Sequence, residues 1–279
     1  MPHPPFVMHS YTFRTYSLKH AYGAAQRFGW DAIELQRCHF DESTLKTSLP
    51  EAIELGKRFD MPVACVDFIT DFIDKDRDVI DENVRTVEQY VRICRQYGIK
   101  RLNGAVGTLS RHPTDYGMNG SAMARDIHYE RAAEALRCVG KRAAKYGIDV
   151  LLEIHMNTLH DTIASTARLL DLVGMDNVLA NPDPGNMFST STAERDPDAL
   201  DRLEGRIGYV HLKNCRLHAG EYDYSVRLAD GHIDTFKWLQ KLRAIGYAGP
   251  LCVEYCGEGD PHAAAKRDLR YLNDCMALM

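Results

Sequence analysis

Short apolar runs alternate with longer amphipathic segments along the whole chain. Runs read as strands lie at Phe6–Ser10, Ala32–Gln36, Pro62–Asp67, Arg101–Val106, Asp149–His155, Val178–Asp183, Ile207–Lys213 and Pro250–Tyr255. Between them the spacing changes from two to about 3.6. Over Arg77–Tyr97, the residues Val79, Ile80, Val84, Val87, Val91 and Cys94 recur near helical spacing, and Tyr129–Tyr146 is rich in Ala, Arg and Lys. Gly29, Gly98, Gly147, Gly174 and Gly246 follow or close predicted helices, where a left-handed residue ends the last turn. The phrases RQYGIKRLN, AKYGIDVLLE and RAIGYAGPLCVE repeat one helix–Gly–strand unit. Strand and helix in strict alternation predict a parallel sheet. Eight such units predict an α/β fold of the (β/α)₈ TIM barrel type, one domain over residues 1–279.

Two connections are long, Gly107–Asp126 after the fourth strand and Asn214–His232 after the seventh. Both are therefore expected at the C-terminal face, where such barrels build their sites.

Composition narrows the function classes. A chain of 279 residues with 45% apolar content buries a core without disulfide staples. The formal charge of −5 gives no basic footprint for nucleic acid. The eight cysteines are scattered and form no CxxC pair, so reduced thiols are expected. The start MPHPPF lacks a basic region followed by an apolar one, and no stretch of about 20 apolar residues occurs. The expectation is a cytoplasmic protein without a membrane partner.

The chemistry collects on the last four strands, which end in Glu153-Ile-His155, Asn181-Pro-Asp183, His211-Leu-Lys213 and Glu254. Side chains alternate faces along a strand. A carboxylate turned toward the apolar helices would be costly to bury, so these groups are expected to point inward at the barrel top. Three carboxylates converging there require a positive charge. A divalent ion on Glu153, Asp183, His211 and Glu254 meets that need. One imidazole and three oxygen donors suit Mn²⁺, Mg²⁺ or Co²⁺, with Zn²⁺ also possible. Taken singly, each of these residues is as well read as an ion-pair partner or a cap. Four on consecutive strands at matching depth favour the metal.

At these residues the chain resembles the xylose isomerase-like barrels, in particular the sugar phosphate isomerase/epimerase group with its tagatose-type epimerases, hydroxypyruvate isomerases, and inosose isomerases and dehydratases. LLEIH, YVHLKN and DGHIDTFKWLQKLRAIGYAGPLCVEY carry the resemblance, which spans nearly the whole chain. It implies one divalent ion on the same four residues. Two positions depart from the pattern: Asn186 stands where many members have His, and Asn214 where Asp is frequent. His155 and Lys213, each two residues beyond a ligand, are candidate substrate contacts, as are Asn186, Arg216 and His9. Arg216 resembles the arginine that approaches substrate in tagatose-type epimerases, offset by one residue. Glu34, Asp67 and Asn103 also fall near strand ends, and HSYTFRTY offers aromatic groups for a pocket wall.

The resulting expectation is a metal-dependent isomerase or epimerase. It would act on a ketose, keto-inositol or related small sugar, with Glu153 and Glu254 moving the proton beside a metal-held carbonyl. The alternative is a lyase or dehydratase on the same metal site, with His155 as a possible acid. A metal-dependent endonuclease fits poorly with the acidic charge and the missing extra ligands. A non-enzymatic sugar-binding barrel fits poorly with an intact ligand set. The reading leaves room for a homo-oligomer.

Overall fold

The computed structural model describes residues 3–279; Met1 and Pro2, at the head of the expected domain, lie outside the described residues. Eight parallel strands form the barrel wall: β1 (Phe6–His9), β2 (Ala32–Leu35), β3 (Val63–Thr70), β4 (Arg101–Val106), β5 (Asp149–Glu153), β6 (Val178–Asn181), β7 (Val210–Leu212) and, after a small antiparallel hairpin of β8 (Arg216–His218) and β9 (Glu221–Asp223), β10 (Leu251–Val253). Their order is β6-β5-β4-β3-β2-β1-β10-β7. The ring closes between its ends, where Ala180 bridges Ile207. There Ala180 N donates to Arg206 O at 2.8 Å and Gly208 N to Ala180 O at 3.1 Å. This is the TIM barrel that the alternation predicts.

The helices are α1 (Leu18–Phe28), α2 (Leu45–Lys57), α3 (Arg77–Tyr97), α4 (Asp126–Ala144), α5 (Ile163–Val173), α6 (Pro184–Thr190), α7 (Thr235–Ala244) and α8 (Pro261–Ala277). The longest, α3, shows why they form. Asp76 caps it by accepting from Asp78 N, and Ile80, Val87, Tyr90, Val91 and Cys94 make its buried stripe. It stops at Gly98, whose φ of +72° a side chain would resist. Val79 departs from the predicted stripe and is exposed. Most strands end one or two residues earlier than predicted, because the ladder stops where the loops peel away. β3 runs three residues longer instead, and its Phe68, Ile69 and Thr70 pair with Gly104, Ala105 and Val106 of β4. That pairing needs Gly104, since a Cβ there would sit 2.2 Å from the Phe68 ring.

Inside the barrel the period of two stacks the side chains in layers. Val7, Ala32, Cys65, Leu151, Tyr209 and Cys252 form one buried apolar cluster. Each lies two residues before a polar group: His9, Glu34, Asp67, Glu153, His211 and Glu254. The apolar layer therefore plugs the barrel directly beneath a polar one. Leu151→Ala would cost roughly 2–5 kcal/mol through the cavity it opens. Among the described residues the eight cysteines are free, and no helix is long and apolar enough to cross a membrane.

Candidate metal centre

Every barrel strand contributes one side chain to the polar layer: His9, Glu34, Asp67, Asn103, Glu153, Asn181, His211 and Glu254, from β1 to β10 in turn. A run of amides ties the layer together. Asn103 Nδ2 donates to Asp67 Oδ1 (2.7 Å) and to Glu153 Oε2 (3.1 Å). Asn181 Nδ2 donates to Asn103 Oδ1 at 2.9 Å, and its own Oδ1 accepts from His211 N at 2.9 Å.

Two residues further along, the chain presents the next layer: Tyr11, Gln36, Ile69, Ala105, His155, Asp183, Lys213 and Cys256. All of these except the deeper Asp183 line a cavity of about 500 Å³, together with His9, Asp67, Glu153, Asn186 and Glu254. Both long loops reach it as predicted, through Thr108 and Tyr116 on one side and Tyr224 on the other.

Glu153, Asp183, His211 and Glu254 each bring one ligand atom to within 4.8 Å of the others. The residues fit a divalent ion on a second count. His211 Nδ1 is buried and has no hydrogen-bond partner. Its Nε2 lies 3.0 Å from Glu34 Oε2, which fixes the ring and leaves Nδ1 aimed at the carboxylates. A ligating histidine oriented by a carboxylate on its far nitrogen is a common metal-site arrangement. Asp183 is also the N-cap of α6, with Oδ1 accepting from Gly185 N and Asn186 N. That bond set leaves Oδ2 to the site.

Charge balance in the centre is close. Burial would raise both glutamates, but neighbouring cations outweigh it. His211 holds Glu153 well below the usual carboxylate range, and Lys213 with His9 brings Glu254 down to about 2. Asp183 is raised by burial, against the pull of Lys213. Burial and the Glu34 charge push Asp67 up to about 7. Burial lowers His9, yet Asp67, Glu254 and Glu34 carry it to about 9.

Of the substrate contacts expected from sequence, His9, His155, Asn186 and Lys213 line the cavity. Arg216 does not. It is exposed on β8, and its guanidinium donates to Asp230 O at 2.6 Å, beyond the hairpin, rather than lining this cavity. Asn186 is fully buried and donates from Nδ2 to Asp183 Oδ2 (2.9 Å) and Glu153 Oε1 (3.2 Å), leaving Oδ1 unpartnered. Lys213 Nζ lies 3.0 Å from Asp183 Oδ2 and 2.6 Å from Glu254 Oε2. Asn214, the other departure, is structural: its amide donates to Leu228 O and Ile233 O and its oxygen accepts from Cys215 N and Ile233 N. Tyr116, Tyr224 and Gln36 were not singled out by sequence. The only signal for the two tyrosines was their place in the long loops.

A family profile described as "Xylose isomerase-like TIM barrel" matches residues 22–275. An inosose dehydratase of Lacticaseibacillus casei is 27% identical over 154 residues, half of each chain. The chain thus spans about half the length of that curated relative. Among solved structures, an L-ribulose 3-epimerase superposes with a TM-score of 0.80 at 19% identity, covering 99% of this chain and 95% of its own. A protein named IolI, solved with a bound zinc atom, superposes at 0.77 with 16% identity and 97% coverage of both.

Proposed function

From the premise that the chain belongs to the xylose isomerase-like TIM barrel family, we propose that it is a divalent-metal-dependent isomerase or epimerase. Its substrate is a ketose, keto-inositol or related keto-polyol, and its reaction starts with removal of a proton from the carbon beside the carbonyl. The observation that carries this reading is the convergence of Glu153, Asp183, His211 and Glu254 on one point, with the buried Nδ1 of His211 making no hydrogen bond and facing Glu153 Oε1 at 3.4 Å. A divalent ion held by these four would polarise the carbonyl and acidify the neighbouring C–H.

The chain supplies the proton chemistry. Glu153 and Glu254 come from strands separated by β6 and β7 one way round the ring and by β4, β3, β2 and β1 the other. They therefore approach the cavity from different sides, one to take the proton and the other to return it. Both are kept ionised, so each can accept a proton, and a divalent ion that acidifies the C–H would offset their weak basicity. Asn186 Oδ1, buried and free, accepts a substrate hydroxyl. The aromatic rings of Tyr11, Tyr116 and Tyr224 help to keep water from the reacting carbon.

Elimination is the second reading, and one contact favours it. The two glutamates are not equivalent: Glu254 is paired with the Lys213 ammonium at 2.6 Å, whereas Glu153 lies 3.4 Å from the His211 imidazole and is held by the amides of Asn103 and Asn186. The Lys213 ammonium beside Glu254 is a proton donor placed to protonate a departing hydroxyl as water. His155 at the rim is a further candidate for that acid.

Metal-loaded protein incubated with ketoses and inososes in deuterated water tests both readings. Isomerisation or epimerisation places solvent deuterium on the reacting carbon, and elimination releases water. Turnover with neither would remove proton abstraction from consideration.

A further inference from the structure

Two histidines that the candidate centre does not use meet outside the cavity. His20 lies in the first turn of α1 and His262 in the first turn of α8. Their Nε2 atoms stand 2.6 Å apart. An N–H donor ordinarily lies about 2.7–3.2 Å from an acceptor oxygen, and nitrogen is the larger acceptor. Two ring nitrogens this close share something positive, a hydrogen or a metal ion.

Neither ring is a freely turning surface side chain. His262 Nδ1 faces Asp260 Oδ1 at 3.1 Å, and the same oxygen accepts from His262 N at 2.9 Å. That contact puts the ring hydrogen on Nδ1 and leaves the Nε2 lone pair toward His20. A carboxylate orients a ligating histidine in the same way. His20 stacks on Tyr16 with ring centres 4.6 Å apart, and Ser17 Oγ accepts from its backbone N. The buried Phe13 ring packs edge-on to His262 at 5.1 Å.

We propose that His20 and His262 form a second metal site, separate from the barrel cavity, that takes one divalent ion of the Zn²⁺ or Cu²⁺ kind. Imidazole nitrogens suit these ions, whereas Mg²⁺ and Mn²⁺ favour oxygen donors. The ion takes the place of the hydrogen between the two nitrogens. His20 keeps its one ring hydrogen on Nδ1, so both rings ligate in the neutral form and no proton is gained or lost. Two nitrogens each about 2.0–2.1 Å from one ion stand about 3 Å apart, so the rings need open by only about half an ångström. Water fills the remaining positions.

The N-terminal ends of two helices work against a cation here. The Asp260 carboxylate beside His262 opposes them. Lys19 and Arg27 border the same hollow, but both are exposed, and solvent screens their charge.

The position gives the site a consequence. α1 follows β1 and α8 follows β10, and these two strands pair in the ring. The loops between strand and helix supply Tyr11 and Cys256 to the cavity lining. Arg14 already ties the loops by donating to Cys256 O and Gly257 O. An ion on the histidine pair is a second tie, joining side chains 242 residues apart. Binding to the folded chain alone stabilises it.

Two protein ligands let an ion exchange readily, so this site empties on purification and is read with added zinc. Chelator-treated protein is titrated with Zn²⁺ against a chromophoric chelator. The unmodified chain should take up about two ions, one tight and one weaker, and His20→Ala and His262→Ala should each lose the weaker one. Added zinc should raise the melting temperature of the unmodified chain more than that of either variant. His20 is exposed and His262 half-buried, so both variants should fold, which circular dichroism without zinc checks. Excess Mg²⁺ should displace none of the weaker zinc, and displacement would end the assignment to nitrogen donors. A weaker ion retained by both variants overturns the pair. A single ion that disappears in His211→Ala also overturns it and leaves the candidate centre standing. A single ion lost in His262→Ala and kept in His211→Ala sustains the pair and ends the centre.

Discussion

The two halves of the barrel hold the same layer of polar side chains and use it differently. The second half, β5 to β10, supplies Glu153, Asp183, His211 and Glu254, whose ligand atoms lie within 4.8 Å of one another. The first half, β1 to β4, supplies His9, Glu34, Asp67 and Asn103; Asp67 pairs with His9 and Asn103, and the other three reach the second half's residues. Glu34 meets His211 at 3.0 Å, Asn103 meets Glu153 at 3.1 Å, and His9 stands 3.8 Å from Glu254. One half holds the candidate ligands and proposed bases and the other braces them. A site of this kind needs both, because converging carboxylates adopt a usable geometry only when neighbours hold them there.

The largest effect that tests this division is on metal content. His211→Ala and Asp183→Ala should each sharply lower the roughly one divalent ion expected per chain, read by elemental analysis of the purified protein. Full occupancy in both variants would show that the second half does not hold the ion. Next come the two glutamates. Glu153→Gln and Glu254→Gln keep the shape and one oxygen donor but remove the base, so turnover should fall by about 10²-fold or more while the ion stays bound, perturbed at most in affinity. Wild-type turnover in either variant would take proton transfer away from that residue.

The first half should show a smaller effect of a different kind. Glu34→Gln retains a hydrogen-bonding group beside His211 Nε2 but removes the charge that favours the Nε2–H tautomer. Metal affinity should drop by about 10- to 100-fold, measured by competition with a chelator, and excess metal should restore activity. Unchanged affinity would mean that Glu34 fills the barrel and does not orient the ligand.

That contrast also marks how far the sequence alone could be read. The four candidate ligands are visible because each is a charged or titratable residue at the end of an apolar run, and the rule of alternation puts such residues inward. The same rule, carried two residues further, found His155 and Lys213 and fails only where the chain leaves the strand. Arg216 is that case: it follows β7 by four residues, but the chain has already turned into the β8–β9 hairpin, and the side chain closes on Asp230. The pairing of Glu34 with His211 spans 177 residues and depends on β2 and β7 facing each other across a closed ring, which no local pattern encodes. Asn186 is similar. Its neighbours in sequence show a helix start after Asp183, but only the folded site shows its amide between two carboxylates.

The smallest expected effect concerns the loops that bring tyrosines to the cavity, each of which is pinned by a buried aspartate. In the loop after β4, Ser121 N donates to the carboxylate of Asp161 at 3.2 Å. In the loop after β7, Leu228 N donates to Asp268 Oδ1 at 3.0 Å. Burial raises both carboxyls from the usual 3.8, Asp161 to about 6 and Asp268 to about 7. A carboxyl whose folded pKa lies above its unfolded value favours the folded state when protonated. The stability it contributes is present below about pH 4 and is lost as the pH rises through the folded value. Asp268→Asn keeps an acceptor for Leu228 N and cannot ionise. Measured by chemical denaturation, its stability relative to the unmodified protein should therefore increase between about pH 4.5 and 7.5, by on the order of 1 kcal/mol for each unit by which the carboxyl is raised. Asp161→Asn should follow the same direction with a smaller gain that levels off nearer pH 6. A stability difference constant across that range would show that the pinning carboxylates are solvated in the folded protein, and that the loops are held by their backbone contacts instead.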